Sequence, residues 1–268
     1  MKLEILYQDD NVAVISKPSG ISMFSDRSSE ENLWDLLKKE FGNKKIYQVH
    51  RIDKGTSGIL LVALSESAQS DLTKQFNDRT VNKTYIAICV GELYPPSGTI
   101  DLPLSPGRKR RFRVAGLREH IYLDNNDVPT WRVRPSESYE SSKRSFPSVT
   151  KYRKILSNKS YSLIAVRPIT GRTHQIRVHF SWLGYPLVGD NLYGKPDSDK
   201  QKAERLALHS FQIEFEERWK HSQPFERVKF QDQLPSFFTD FLLKNEMIKD
   251  FELVDLSKRI NETVDQLA

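Results

Sequence analysis

The chain has 268 residues, 38% hydrophobic and 28% charged, with a net charge of +6 and a single cysteine, Cys89. That is globular composition with length enough for a sizeable core, and one cysteine excludes an internal disulfide and a cysteine zinc cluster. No apolar run approaches the roughly 18 residues a membrane span needs, so a membrane protein, a secreted disulfide scaffold and a coiled coil are all excluded.

The charge is unevenly placed. Residues 1–104 carry −2, residues 105–155 carry +8 and residues 156–268 carry zero. A concentrated basic segment suits a polyanionic partner such as nucleic acid. A solvated loop kept soluble by its charge fits the same numbers.

In chain order, Ile5–Tyr7 and Val12–Ser16 flank Gln8-Asp9-Asp10-Asn11 as a β-hairpin, so the N-terminus reads as a strand and not a signal peptide. Lys17-Pro18-Ser19-Gly20 is a turn. Ser28 and Glu31 have capping-box spacing ahead of a helix with Leu33, Trp34, Leu36, Leu37 and Phe41 on one face, stopped by Gly42. Ile59–Leu64 is a continuous apolar run, hence a buried strand. A helix carrying Ala68, Leu72 and Phe76 follows, then a strand over Thr84–Val90. From Pro95 to Pro147 the density of Pro and Gly predicts loops and an extended hairpin without a packed core. Strands are predicted over Val149–Leu156, Tyr161–Arg167 and Leu206–Phe215. Thr173 is placed to cap a helix with Ile176, Phe180 and Leu183, ended by Gly184. Two helices close the chain, one after Ser236 and one carrying Leu256, Ile260, Val264 and Leu267. Strands and helices do not alternate strictly, which favours an α+β fold with a mixed sheet over a Rossmann-type parallel one. Neither GxxxxGK[ST] nor GxGxxG occurs.

Two polar clusters border core elements. In His50-Arg51-Ile52-Asp53-Lys54-Gly55-Thr56-Ser57-Gly58, a carboxylate at a strand edge lies between cations. Such a group can serve as nucleophile or base, or simply cap a turn. In Thr170-Gly171-Arg172-Thr173-His174-Gln175-Ile176-Arg177, a glycine turn leads into a helix start with free amides and arginines, which suits an anion. A capped helix with surface arginines is the plainer alternative. His174 and His179 are five residues apart and do not share a helix face, so no metal site is expected.

His50–Ala63, read as HRIDKGTSGILLVA, resembles the catalytic motif of the RluA-type family of RNA pseudouridine synthases. Tyr7–Gly20 is similar to that family's opening hairpin, Lys83-Thr84-Tyr85-Ile86-Ala87 with Val90-Gly91 to its lysine-tyrosine strand, and Leu163–Gly194 to its third motif. Leu208-His209-Ser210 resembles the stretch that follows. The pieces stand in family order over most of residues 3–215.

The resemblance implies a pseudouridine synthase catalytic fold, a largely antiparallel central sheet flanked by helices and loops, and isomerisation of uridine in RNA without cofactor or metal. Asp53 matches the essential aspartate, which attacks the nucleoside or abstracts a proton, and Tyr85 the tyrosine that stacks on the target base and can assist proton removal at C5. Arg177 matches the basic partner of the aspartate. Ile176 matches an apolar residue of the base pocket, and Arg51 the arginine that fills the gap left by a flipped nucleotide. The basic insertion at about 105–150 is expected to grip RNA through Arg108, Lys109, Arg110, Arg111 and Arg113, with Lys54, Arg172 and His174 also in contact.

The implied domain spans 1–235, with residues 236–268 as a helical extension packed on it. No S4 domain is expected before Leu3, and the sequence departs from the family pattern in Glu216-Glu217-Arg218-Trp219 in place of a histidine-proline turn and in that helical tail. The expected partner is an rRNA or tRNA stem-loop, with 23S rRNA slightly favoured, and the expected state is a monomer in the cytoplasm without membrane contact. A non-catalytic RNA-binding protein on the same scaffold would be expected to lose Asp53, Tyr85 or Arg177, and all three are present. A glycosidase-like enzyme would need a second carboxylate near Asp53, and none stands in the motifs.

Overall fold

The structure is a computed structural model and describes residues 3–25, 31–108, 111–134, 145–194, 202–220 and 223–267. In chain order its elements are β1 (Glu4–Gln8), β2 (Val12–Lys17), α1 (Leu33–Phe41), β3 (Tyr47–Gln48), β4 (Ser57–Ala63), α2 (Glu66–Asp78) and β5 (Asn82–Val90). Then come β6 (Ser97–Asp101), β7 (Leu104–Pro106), β8 (Phe112–Val114), β9 (Ile121–Asp124), β10 (Thr130–Val133), β11 (Val149–Ser157) and β12 (Tyr161–Pro168). Last are α3 (Gln175–Trp182), β13 (Leu208–Glu216), β14 (Arg227–Gln231), α4 (Ser236–Lys244) and α5 (Leu253–Asp265). The fold is α+β with a mixed, largely antiparallel sheet. The chain forms two compact units, Met1–Tyr85 with Leu208–Leu234, and Ile86–Ala207 with Pro235–Ala268.

In the first unit β1 pairs antiparallel with β2, β2 with β4, and β13 with β14, while β4 and β13 run parallel. Alternate side chains of β2 and β4 feed two cores. Ala13, Ile15, Leu60 and Val62 meet the Leu33, Leu37 and Phe41 face of α1. Val12, Val14, Ile59 and Leu61 meet Ala68 and Leu72 of α2. Burial on both faces is why this strand is apolar throughout instead of alternating. The cap of α1 is Asn32, whose side chain accepts from the Asp35 amide, and not Ser28, which lies outside the described residues. Trp219, in the stretch that departs from the family pattern, is buried in the α2-side core.

In the second unit β12 pairs antiparallel with β11, β11 with β6, and β10 with β9, while β6 and β10 run parallel. The expectation of loops from Pro95 to Pro147 is corrected here. β6 is an interior strand of the sheet, and Ile100, Leu102, Leu104 and Val114 are fully buried. Gly98 is a packing residue, since a Cβ there would come 2.4 Å from the Pro129 carbonyl oxygen. The closing helices belong to this unit: Phe241 packs edge-on against Tyr161, and Arg167 Nη1 donates to the Leu267 carbonyl at 3.1 Å.

Candidate active site

Asp53 lies in the turn before β4, where the Thr56 amide donates to the Asp53 carbonyl at 3.1 Å. That turn is tied to the one after β2. Lys17 is fully buried, and its ammonium donates to the carbonyls of Pro18 at 2.9 Å, Ile21 at 3.0 Å and Lys54 at 3.2 Å. The Gly20 amide also donates to the Lys54 carbonyl, at 2.8 Å, and Ser19 Oγ to that of Gly55, at 2.6 Å. Convergent carbonyls satisfy a buried cation, and the cation fixes the two turns together. After the turn, Ser57 Oγ is 2.9 Å from His209 Nδ1, and His209 Nε2 lies 3.8 Å from Asp232 Oδ2. The same Asp232 oxygen accepts from Ser16 Oγ at 2.7 Å, and burial raises the Asp232 carboxyl above its usual range.

His50 is structural. Its Nε2 accepts from the Leu61 amide at 2.8 Å, and its ring stacks on Phe76 at 4.9 Å. Burial, helped by the Lys83 charge, pushes the imidazole down to about 3, so it is neutral at physiological pH. Burial also lowers the Lys83 ammonium to about 8.

Tyr85 is buried at the point where β5 leaves the first unit. Burial pushes its phenol up to about 12, the Ser210 hydroxyl bonded to it opposes that shift, and the Asp53 carboxylate adds to it. The structure therefore brings Asp53 and Tyr85 within electrostatic reach, and the phenol stays protonated. Gly58 makes this arrangement possible. It has φ +101°, and a Cβ there would lie 2.3 Å from the Ser210 carbonyl oxygen. Only glycine lets β13 approach β4 so closely and set Ser210 beside Tyr85. Arg51 and Lys54 are exposed on either side of Asp53.

In the second unit the glycine turn and α3 gather Arg172, His174, Ile176 and Arg177. Thr173 is not the cap. His174 takes that position in a left-handed conformation, φ 57° and ψ 18°, without a side-chain cap. Gln175 does the tying: its Oε1 accepts from Thr170 Oγ1 at 2.6 Å and from the Arg172 amide at 3.0 Å. Its Nε2 donates to the Val149 carbonyl and to Thr150 Oγ1, both at 2.9 Å. Ile176 is buried. Arg177 is 9% exposed and Asp190 4%. Arg177 Nε and Nη2 donate to Asp190 Oδ2 and Oδ1, both at 2.8 Å, in a bidentate fork. Asp190 Oδ1 also accepts from the amides of Leu192 at 3.0 Å and Tyr193 at 3.1 Å. The Arg177 guanidinium lies 5.2 Å from the centre of the Tyr193 ring.

Tyr193 joins this arginine to the basic segment. Its hydroxyl accepts from the Phe112 amide at 2.9 Å and is 2.8 Å from His174 Nδ1. β8 is thereby anchored beside α3, with Arg108, Arg111 and Arg113 exposed around the β7–β8 turn. Lys109 and Arg110 lie outside the described residues. Arg172 rests on the Phe146 ring at 5.4 Å and donates to the Pro147 carbonyl at 3.3 Å. His179 is buried inside the unit, its Nδ1 3.0 Å from Thr150 Oγ1 and its Nε2 2.9 Å from the Leu102 carbonyl oxygen. Sequence reasoning missed Lys17 and Ser210, which support Asp53 and Tyr85 in the first unit, and Asp190 and Tyr193, which support Arg177 in the second. Asp190 and Tyr193 do sit in the Gly189-Asp190-Asn191-Leu192-Tyr193-Gly194 run that ends the third motif.

Among the described residues, no three His, Cys, Asp or Glu side chains are grouped as a metal ion would need, and no helix is long and apolar enough to cross a membrane.

Human RNA Pseudouridylate Synthase Domain Containing 4 has the same fold, with a TM-score of 0.70 and 25% identity over 92% of this chain and 94% of that one. Human RNA Pseudouridylate Synthase Domain Containing 1 matches at 0.64 and 26%, over 88% and 86%. Fold and motifs together define an RNA-modifying isomerase. A family model described as RNA pseudouridylate synthase matches residues 11–182. The Dual-specificity RNA pseudouridine synthase RluA of Escherichia coli K12 is 33% identical over 211 residues, 78% of this chain and 84% of that protein. The Ribosomal large subunit pseudouridine synthase D of Borreliella burgdorferi is 34% identical over 224 residues, 80% of this chain and 61% of that protein. The chain belongs to the RluA-type family of RNA pseudouridine synthases.

Proposed function

We propose that this RNA pseudouridine synthase isomerises specific uridines in structured RNA, 23S rRNA in preference to tRNA, with Asp53 as the group that attacks the extruded nucleoside or takes its proton. The observation that carries the assignment is the Asp53 turn, clamped by buried Lys17 and set within electrostatic reach of the protonated Tyr85 phenol. The reaction breaks N1–C1′, turns the freed uracil and joins C5 to C1′; the C5 proton leaves and N1 gains one. No electrons enter or leave, so the chemistry asks for a carboxylate, an orienting plane and a way to expose the base.

A nucleotide stacked in RNA must be flipped out before its glycosidic bond can be reached, which costs a few kcal/mol. Arg51, exposed beside Asp53, fills the vacancy and offsets part of that cost. Tyr85 stacks on the flipped ring, worth about 1–3 kcal/mol per base. A phenol near 12 is a stacking plane and not a resting base. Ile176 supplies an apolar wall, and Arg177 serves as the basic partner of the Asp53 carboxylate. Arg108, Lys109, Arg110, Arg111 and Arg113, with Lys54, Arg172 and His174, hold RNA phosphates.

The test is a map of pseudouridines in total RNA from cells lacking the gene, complemented with wild type or Asp53→Ala. Sites should vanish on deletion and return only with wild type. Purified Asp53→Ala should lose about 10³-fold or more in rate while binding RNA normally. Restoration of the sites by Asp53→Ala refutes the assignment.

A further inference from the structure

We infer that Arg118 and Arg134, at the base of the β9–β10 hairpin, form an additional phosphate-binding track for RNA outside the nucleotide being isomerised. This rests on the proposal that the substrate is structured RNA. Both arginines are exposed and each is seated on an aromatic ring. The Arg118 guanidinium lies 5.1 Å from the Trp182 ring centre and donates through Nη2 to the Ser181 carbonyl at 3.1 Å. Arg134 lies 5.3 Å from the Tyr122 ring centre. The Arg134 amide donates to the His120 carbonyl at 3.0 Å, which brings its backbone against the 3-10 turn Arg118–His120.

Arg132 supplies the contrast, because it points to the same face of the hairpin. Its Nη1 is 3.1 Å from Asp101 Oδ2 and its Nε 3.5 Å from Asp124 Oδ2. Its charge is answered within the protein. Among the described residues, no carboxylate pairs with Arg118 or Arg134, and Glu119 in the intervening turn pairs with neither. One face of the hairpin thus runs from a neutralised end at Asp124 to a cationic end at Arg134. Arginine seated on a ring has given up its rotamer freedom in advance and still presents N–H edges suited to phosphate oxygens. Trp182 ends α3, and Arg172 and His174, already assigned to RNA, stand just before its first residue, so the track continues from them along α3.

The test uses the full chain and a fluorescein-labelled 40-nucleotide mixed-sequence RNA hairpin, read by anisotropy from 50 to 300 mM KCl. Arg118→Ala/Arg134→Ala should bind about tenfold more weakly at 100 mM and lower the salt slope by roughly 1.5, the value for two lost phosphate contacts. Arg132→Ala should bind within about twofold of wild type, because its charge is already answered. Arg118→Lys/Arg134→Lys keeps the charge but cannot stack as a plane, and should bind at least about threefold more weakly. Wild-type affinity and slope in the alanine pair overturn the inference. An equal loss in Arg132→Ala does so too, reducing the effect to net charge. Wild-type binding by the lysine pair removes the role of the rings. Pseudouridine formation in total RNA by the same proteins separates the two readings. If wild type forms none, the proposed function fails. If wild type is active and the alanine pair keeps its KM, only the track fails.

Discussion

Replacing Asp190 by Asn tests whether the second unit holds Arg177 by charge. The substitution is isosteric, so packing is preserved. Asp190 Oδ1 accepts from Arg177 Nη2 and from two amides, and Oδ2 from Arg177 Nε. An amide has one acceptor oxygen, so either orientation sets an N–H against an N–H and breaks the fork. Arg177 is 9% exposed, and its guanidinium would be left without its counter-charge. Removing one partner of a buried pair costs about 3–5 kcal/mol. For a chain of this size that is a fall in Tm of roughly 6–15 °C. Urea unfolding of wild type, Asp190→Asn, Arg177→Gln and the double variant closes a mutant cycle. Once one partner has gone, removing the other leaves no new unpaired charge. The double variant should therefore lose less than the sum of the singles by about 1.5–3 kcal/mol. At a temperature where all variants are folded, the isomerisation rate of Asp190→Asn should fall at least about tenfold, because a guanidinium released from its fork no longer has one orientation. Losses that add within about 0.5 kcal/mol, or an Asp190→Asn Tm within 2 °C of wild type, would refute the argument.

Two further outcomes follow from single positions. Gly58→Ala combines φ +101° with a Cβ 2.3 Å from the Ser210 carbonyl oxygen, a backbone atom that cannot swing aside. It should cost about 3–5 kcal/mol in urea unfolding and reduce activity beyond the fraction unfolded, by shifting Ser210 from Tyr85; wild-type stability would contradict the close β4–β13 contact. His50 and His179 are held neutral by burial, at about 3 and about 4 against an unfolded value of 6.5. Below pH 6.5 the unfolded chain takes up protons that the native one refuses, so their contribution is complete above 6.5 and is lost as pH falls toward 4. Each should remove about 0.7 kcal/mol per pH unit near pH 6.5, rising to about 1.4 near pH 5, and a flat profile in His179→Asn above pH 5 with His50 intact would contradict the assignment.

Local periodicity made much of the fold readable. The β1–β2 hairpin, α1, β4 and α2 each bury a face whose apolar spacing is written in consecutive residues. β6 was hidden because its partners are distant: Ser97–Asp101 pairs with Val149–Arg153 and with Thr130–Trp131. Within that window Gly98 looks like a turn residue, and only the Pro129 carbonyl above it makes it a packing one. β14 was missed for a related reason. Val228 and Phe230 alternate with polar residues over a strand of five, too short a run to announce itself without β13 beside it.

The site divides along the same line. Asp53 and Arg177 lie in polar clusters compact in sequence, and Tyr85 stands in a run that resembles a family motif, so each could be named. The residues that hold them could not. Lys17 serves Asp53 through carbonyls on two separate turns, and Ser210 reaches Tyr85 from a strand more than a hundred residues away. A buried guanidinium does demand an anion, but the demand carries no sequence spacing, and Asp190 meets it from thirteen residues beyond Arg177. Tyr193 extends the reasoning one step, since its hydroxyl joins the Phe112 amide to His174. The strand proposed to hold RNA and the arginine proposed to serve the carboxylate are thereby fixed to one side chain. A change at Tyr193 should move both, although neither run names the other.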